Sequence, residues 1–169
     1  MAAPPFWEWS GAAYARPGAE RALLVLQDAH GLNVNLVLWC VWSAEFFAEP
    51  ASAALKSAIA IAGAWEASIV APLRSVRRTL KSGVAGIDAG PLRDQVKAAE
   101  LAAEQSLQAR LDMMARETLG PAPGPDREGR ARRALAAYAR AARAAETPGF
   151  SISLLEEVIR LTLDSPDQG

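Results

Sequence analysis

The sequence predicts an all-α protein, a compact bundle of about six to seven helices around a central hydrophobic helix at residues 33–47. Three observations carry that expectation. Through most of the chain, apolar residues recur three or four apart, the spacing of one helical face. No run shows the apolar–polar alternation and β-branched enrichment of a half-buried strand. And Leu23–Phe47, LLVLQDAHGLNVNLVLWCVWSAEFF, contains a segment that is apolar on every side. There Val34, Leu36, Val37, Leu38, Trp39, Cys40, Val41, Trp42, Phe46 and Phe47 encircle one helix, which belongs in a core or a membrane. Its uninterrupted apolar run, Leu36 to Trp42, falls far short of the roughly 20 residues that span a bilayer, so the core is its place.

The remaining elements follow in order. Phe6, Trp7 and Trp9 cover one end of the core, and Ser10 suits the N-cap of a short helix that ends before Pro17 and Gly18. A second helix starts there, with Pro17 near its first turn and Glu20 at its positive end, and runs to His30. Gly31 fits a left-handed C-cap and Asn33 the N-cap of the central helix, so two helices meet at a very short turn. After Glu49 and Pro50 the stretch AALKSAIAIAGAW resumes the helical pattern, with Gly63 either ending or weakening it. Lys56 and Glu66 argue against a spanning helix at residues 53–73.

Trp65, Ile69, Leu73, Val76 and Leu80 form one apolar stripe, and Pro72 inside it predicts a kink or a fresh start. Arg74, Arg77, Arg78 and Lys81 gather on a second stripe, a basic ridge beside the expected buried face. SGVAGIDAG is a glycine-punctuated loop before a long helix carrying Leu92, Val96, Ala99, Ala103, Leu107, Leu111 and Met114 on one face. GPAPGPDREG, residues 120–129, reads as a Pro/Gly linker between a main helical domain at 1–119 and a C-terminal helical pair at 130–169 packed on it. In that pair Ala131, Leu135, Tyr138 and Ala142 face inward, with Arg127, Arg130, Arg132, Arg133, Arg140 and Arg143 opposite. Leu154, Leu155, Val158, Ile159 and Leu163 supply the last apolar face, and the final SPDQG is expected to fray.

Composition excludes several functions. A formal net charge of -1 gives no overall pull toward nucleic acid. The single Cys40 sits mid-core, a buried inert thiol rather than a disulfide partner. The N-terminus lacks a basic region leading into an apolar one, so a cytoplasmic protein is expected. With one histidine, a multi-histidine metal site is impossible, and Glu100 and Glu104, one turn apart, lack the partner histidines of a di-metal bundle. No phosphate-cradling glycine loop or nucleophile elbow is present, and no cofactor is implied.

The order FW, YARPG, LLVLQDAHGLNVNLVLWCVW, PLRSVRRTLK and KAAELAAEQ, over roughly residues 6 to 115, resembles a family of small proteobacterial proteins catalogued as a domain of unknown function. The resemblance implies a helical fold and a bacterial setting, with no activity, cofactor or catalytic residue to carry over. Two candidate sites follow from the residues themselves. Gln27, Asp28, His30, Asn33 and Asn35 concentrate polar groups at the helical corner, where they either lock the turn or line a small pocket with Asp28 orienting His30. Arg74, Arg77, Arg78 and Lys81 either bind an anionic partner or pair with Asp94 and Glu100 on the next helix. The first expectation is therefore a non-enzymatic interaction protein contacting an unknown protein through the ridge; the alternative is a small-ligand binder or enzyme using the corner.

Overall fold

A computed structural model describes residues 2–83 and 85–163, so the SPDQG end lies outside the described residues. The helices are α1 (Phe6–Tyr14), α2 (Ala19–His30), α3 (Val34–Phe46), α4 (Ser52–Trp65), α5 (Ala71–Ser82), α6 (Gly90–Thr118), α7 (Arg127–Ala141) and α8 (Ile152–Thr162). Among the described residues there are no strands, only an isolated bridge between Phe47 and Pro121. The fold is all-α, as the periodicity requires.

At the centre, α3 buries every residue from Leu36 to Ala44. Its neighbours are α1, α2, α4, α6, α7 and α8, and α7 makes the longest contact with it. One continuous hydrophobic cluster results. It runs from Phe6 to Leu163 and includes Ala131, Leu135 and Tyr138 of α7 and Leu155 and Val158 of α8. Burying a side chain as large as Trp39, Trp42 or Leu36 is worth about 1.5–3 kcal/mol each, so enclosure of α3 dominates the stabilising side of folding. The Cys40 thiol lies inside this cluster, where burial pushes its pKa up to about 12 and leaves it unreactive.

The corner before α3 is built as its residues suggest. Gly31 is left-handed at φ 69°, and the Asn33 side chain accepts a hydrogen bond from Asn35 N–H at 2.9 Å. Ser10, by contrast, does not cap α1. The helix begins four residues earlier at Phe6, and Ser10 lies buried in its middle. Residues 120–126 pass close beneath α3, with Ala48 N–H donating to the Gly120 carbonyl at 2.8 Å. Asp126 caps α7 by accepting from Gly129 N–H at 3.0 Å, so that helix starts at Arg127, inside the Pro/Gly segment. Arg130 does not face solvent with the other arginines of α7. Its buried guanidinium donates to the carbonyls of Ala44 at 2.9 Å and Gly124 at 3.0 Å, fixing α7 to the end of α3.

The stretch from Ser52 to Ser82 is one continuous rod of 31 residues. Gly63 does not end it, and Pro72 stands in the first turn of α5, the fresh start expected of it, although the helical path runs on. Glu66–Val70 forms a π turn in which Ala71 N–H reaches back to the Glu66 carbonyl. Widening the turn ahead of a proline relieves the ring's clash with the preceding carbonyl. By length and composition the rod could cross a membrane, but it passes that test narrowly and is anchored to α6 by a 2.8 Å bond from Trp65 Nε1 to the Ala103 carbonyl. Beyond Val70 the expected burial stops. From Ala71 to Ala99 no described side chain is buried, and α5 with the first turns of α6 forms a hairpin arm extending from the bundle.

Because α7 closes over α3 with apolar side chains and a buried arginine, a chain truncated after Leu119 should lose cooperative folding. Calorimetry of residues 1–119 is expected to show no sharp transition, and a fragment with a native-like melting transition would contradict this.

Candidate functional site

The corner residues separate into two groups. Gln27, Asn33 and Asn35 face a cleft between α1, α2, α3 and α6, whereas Asp28 and His30 point elsewhere. Asp28 does not orient the histidine. His30 is buried on the far side, its Nδ1 2.5 Å from Thr147 Oγ1 and its ring edge-on to Phe150 at 5.4 Å. It ties α2 to the turn before α8, a packing role that the distance in sequence concealed.

Facing the cleft, Ser10 Oγ donates to Gln108 Oε1 at 2.6 Å, and Gln108 Nε2 donates to Asn35 Oδ1 at 2.7 Å. Asn33 N–H donates to the Tyr138 hydroxyl at 2.9 Å. The side chains of Ser10, Asn35 and Gln108 and the Tyr138 hydroxyl are thereby engaged with one another or with backbone, which avoids the roughly 1–3 kcal/mol cost of each unpaired buried group. A preorganised polar wall is left beside the core.

The basic ridge is partly neutralised. Arg74 Nε lies 3.1 Å from Glu100 and its Nη1 3.0 Å from Glu66, while Arg77 Nε lies 2.6 Å from Glu100. Burial alone would raise the Glu100 pKa, but the hydrogen bonds and charges of Arg77 and Arg74 outweigh it and hold the carboxyl below its ordinary range. Arg78 has no ion pair with Asp94 among the described residues; it lines the cleft. Lys81 is exposed one turn further out.

Part of each candidate set, Gln27, Asn33 and Asn35 from the corner and Arg74 and Arg78 from the ridge, therefore lines one cleft of about 430 Å³, while Asp28, His30, Arg77 and Lys81 do not. Its polar lining is Ser10, Tyr14, Gln27, Asn33, Asn35, Glu66, Arg74, Arg78, Glu104 and Gln108, against apolar walls from Trp7, Leu24, Val34, Leu38 and Leu101. Glu104 is half-buried there, and its carboxyl pKa is raised, first by desolvation and then by the charges of Glu100 and Glu66, against the opposing pull of Arg74 and Arg77. Tyr14 is likewise raised by burial and by its hydrogen bond to Glu20 at 3.2 Å. Sequence reasoning missed Ser10, Tyr14, Glu104 and Gln108. The spacing of Glu104 and Gln108 one turn apart on α6 was the available signal, and it reads equally as a solvent face. No group of three or more His, Cys, Asp or Glu side chains converges among the described residues.

The architecture is thus that of a helical protein with a metabolite-sized polar cleft wedged between its core and a projecting arm. The chain belongs to the family described as "Protein of unknown function (DUF2390)", which matches residues 5–111. That match takes in α1–α5 and most of α6, and with them every residue of the cleft lining. No curated protein and no solved structure matches the chain.

Asn33 serves both the α3 cap and the cleft wall. Asn33→Ala should lower stability by about 0.5–2 kcal/mol, measured as a shift in denaturation midpoint. An unchanged midpoint would show that the cap carries no structural weight.

Proposed function

We propose that the cleft binds a small polar molecule bearing an anionic group. The observation that carries this reading is the meeting, in one cavity, of the corner amides with the exposed Arg78 at its rim. A volume of about 430 Å³ matches the size of metabolite sites, commonly ~300–1,000 Å³. In this reading Arg78 receives the anionic group; Gln27, Asn35 and Gln108 supply hydrogen bonds, and Trp7, Leu24 and Leu38 pack against the ligand's apolar part. The residues could position such a molecule, but no nucleophile–base pair stands in the cleft to suggest a reaction.

The alternative, an anionic protein docking on the ridge, is less favoured because Arg74 and Arg77 are already engaged by Glu66 and Glu100. Interaction with an acidic protein would need those pairs exchanged for new ones of similar strength.

The cleft reading fixes a pH dependence. Glu104 has a raised pKa, chiefly from desolvation, so it takes up a proton at a higher pH than an ordinary glutamate. Protonation removes a negative charge from the cleft, so affinity for an anion should increase as pH falls through that titration and decrease as pH rises through it. Glu104→Gln should flatten the dependence. The same raised pKa means that Glu104 contributes more to stability when protonated, a contribution lost as pH rises through the folded-state value.

The test is a panel of small carboxylates and phosphates, followed by the emission of Trp7, with Trp7→Phe as control. Arg78→Gln should weaken binding by about tenfold or more, consistent with loss of a charge-assisted hydrogen bond. Equal binding by wild type and Arg78→Gln, or no response to any compound, would reject the reading.

A further inference from the structure

The cleft does not end at Arg78. On α5, Arg74 and Arg78 line it, and Lys81 follows one turn later on the same side. On α6, Gln108, Glu104 and Leu101 line it at steps of four and three residues. The same row continues at four-residue steps through Lys97 and Arg93. Since α5 and α6 form a hairpin pinned at Arg74, Arg77 and Glu100, the outward ends of both rows lie together along the arm.

The two rows thus change character at the same place. Inside the cleft, two arginines are balanced by Glu66 and Glu104; beyond it come Lys81, Arg93 and Lys97 against Asp94 and, in the loop at the arm's tip, Asp88. Arg78, Lys81, Arg93 and Lys97 take part in no ion pair among the described residues; Arg93 turns its Nε away from solvent and adds only its charge. Lys81 and Lys97 are exposed. A charge pattern of this kind, set on helices with no buried side chain between Ala71 and Ala99, gives an anionic chain a track leading out of a neutral polar pocket.

We infer that the ligand is an extended organic phosphate, with its uncharged head in the cleft and two or more phosphoryl groups lying along the arm over Arg78, Lys81 and Lys97. This rests on the cleft reading and adds to it the ligand's shape and charge. A single carboxylate or phosphate would be satisfied at Arg78 and leave the outer cations unused. Arginine and lysine together suit the task, the first as a planar fork for a phosphoryl group and the second as a mobile point charge.

Isothermal titration of the full chain with inorganic phosphate, pyrophosphate and tripolyphosphate at low salt tests it. Affinity should rise along that series, and added salt should erase most of the rise. Lys81→Gln/Lys97→Gln should leave phosphate binding unchanged and weaken tripolyphosphate by roughly two- to fivefold per lysine. Circular dichroism keeps a misfolded variant from being mistaken for this outcome, and exposed lysines tolerate glutamine. Phosphate binding that depends on Arg78 but does not strengthen along the series, or a series unaltered by the double substitution, would overturn the extended-phosphate inference and leave the cleft reading standing. Absence of binding to all three probes would overturn the extended-phosphate inference and leave the cleft reading to the carboxylate panel, whereas binding indifferent to Arg78→Gln would overturn both.

Discussion

A helix that is apolar on every side has to be enclosed on every side. This requirement on α3 organises the molecule: α1, α2, α6, α7 and α8 take up positions around it, and each contributes to one core cluster. Polar groups at its two ends must then be paired inside the protein. Asn33, Asn35, Tyr138 and Gln108 do so at the N-terminal end, and Arg130 satisfies the Ala44 carbonyl at the C-terminal end. The arginine is well suited to the second task because its fork reaches Ala44 and Gly124 at once, holding the loop and helix that cover α3.

The cleft is a consequence of the same enclosure. Helix α2 meets α3 at the short Gly31–Asn33 corner and α1 packs beside them, while α6 approaches from the other side and carries the rod on its outer surface. The space between them is walled by amides already fixed by mutual hydrogen bonds, a preorganised arrangement that lowers the entropy cost of holding a ligand. Glu100 has a related role in the arm. By pairing with Arg74 and Arg77 it sets the register of α5 on α6 and leaves Arg78 unpaired at the exposed rim of the cavity.

Local features of the fold were legible in the sequence because local chemistry determines them. The all-round apolarity of α3, the left-handed Gly31, the Asn33 cap and the pairing of Arg74 with Glu100 all follow from spacing and residue type. Contacts between distant segments were not legible. His30 lies next to Asp28 in sequence yet bonds Thr147, and Ser10 looks like a cap yet reaches Gln108. Arg130 is one arginine among six on an apparently solvated face, and nothing local marks it as buried. Periodicity also overstated the burial of Ile69, Val76 and Leu92, because it records which face meets a neighbour and not whether that neighbour belongs to the core. For the cleft, each half was visible as a cluster of polar or basic residues, while their convergence depended on how the rod crosses α6.

Native-state hydrogen exchange tests most directly the claim that enclosure of α3 holds the molecule together. Amides in the middle of α3 and α7 should exchange only through global unfolding, with one shared free energy and the same denaturant dependence, because neither helix can stay folded without the other. Amides between Ala71 and Ala99 should exchange by a smaller local opening of the arm. Exchange of α7 at low free energy while α3 remains protected would contradict the account, since the central helix would then be stable without the element that covers it.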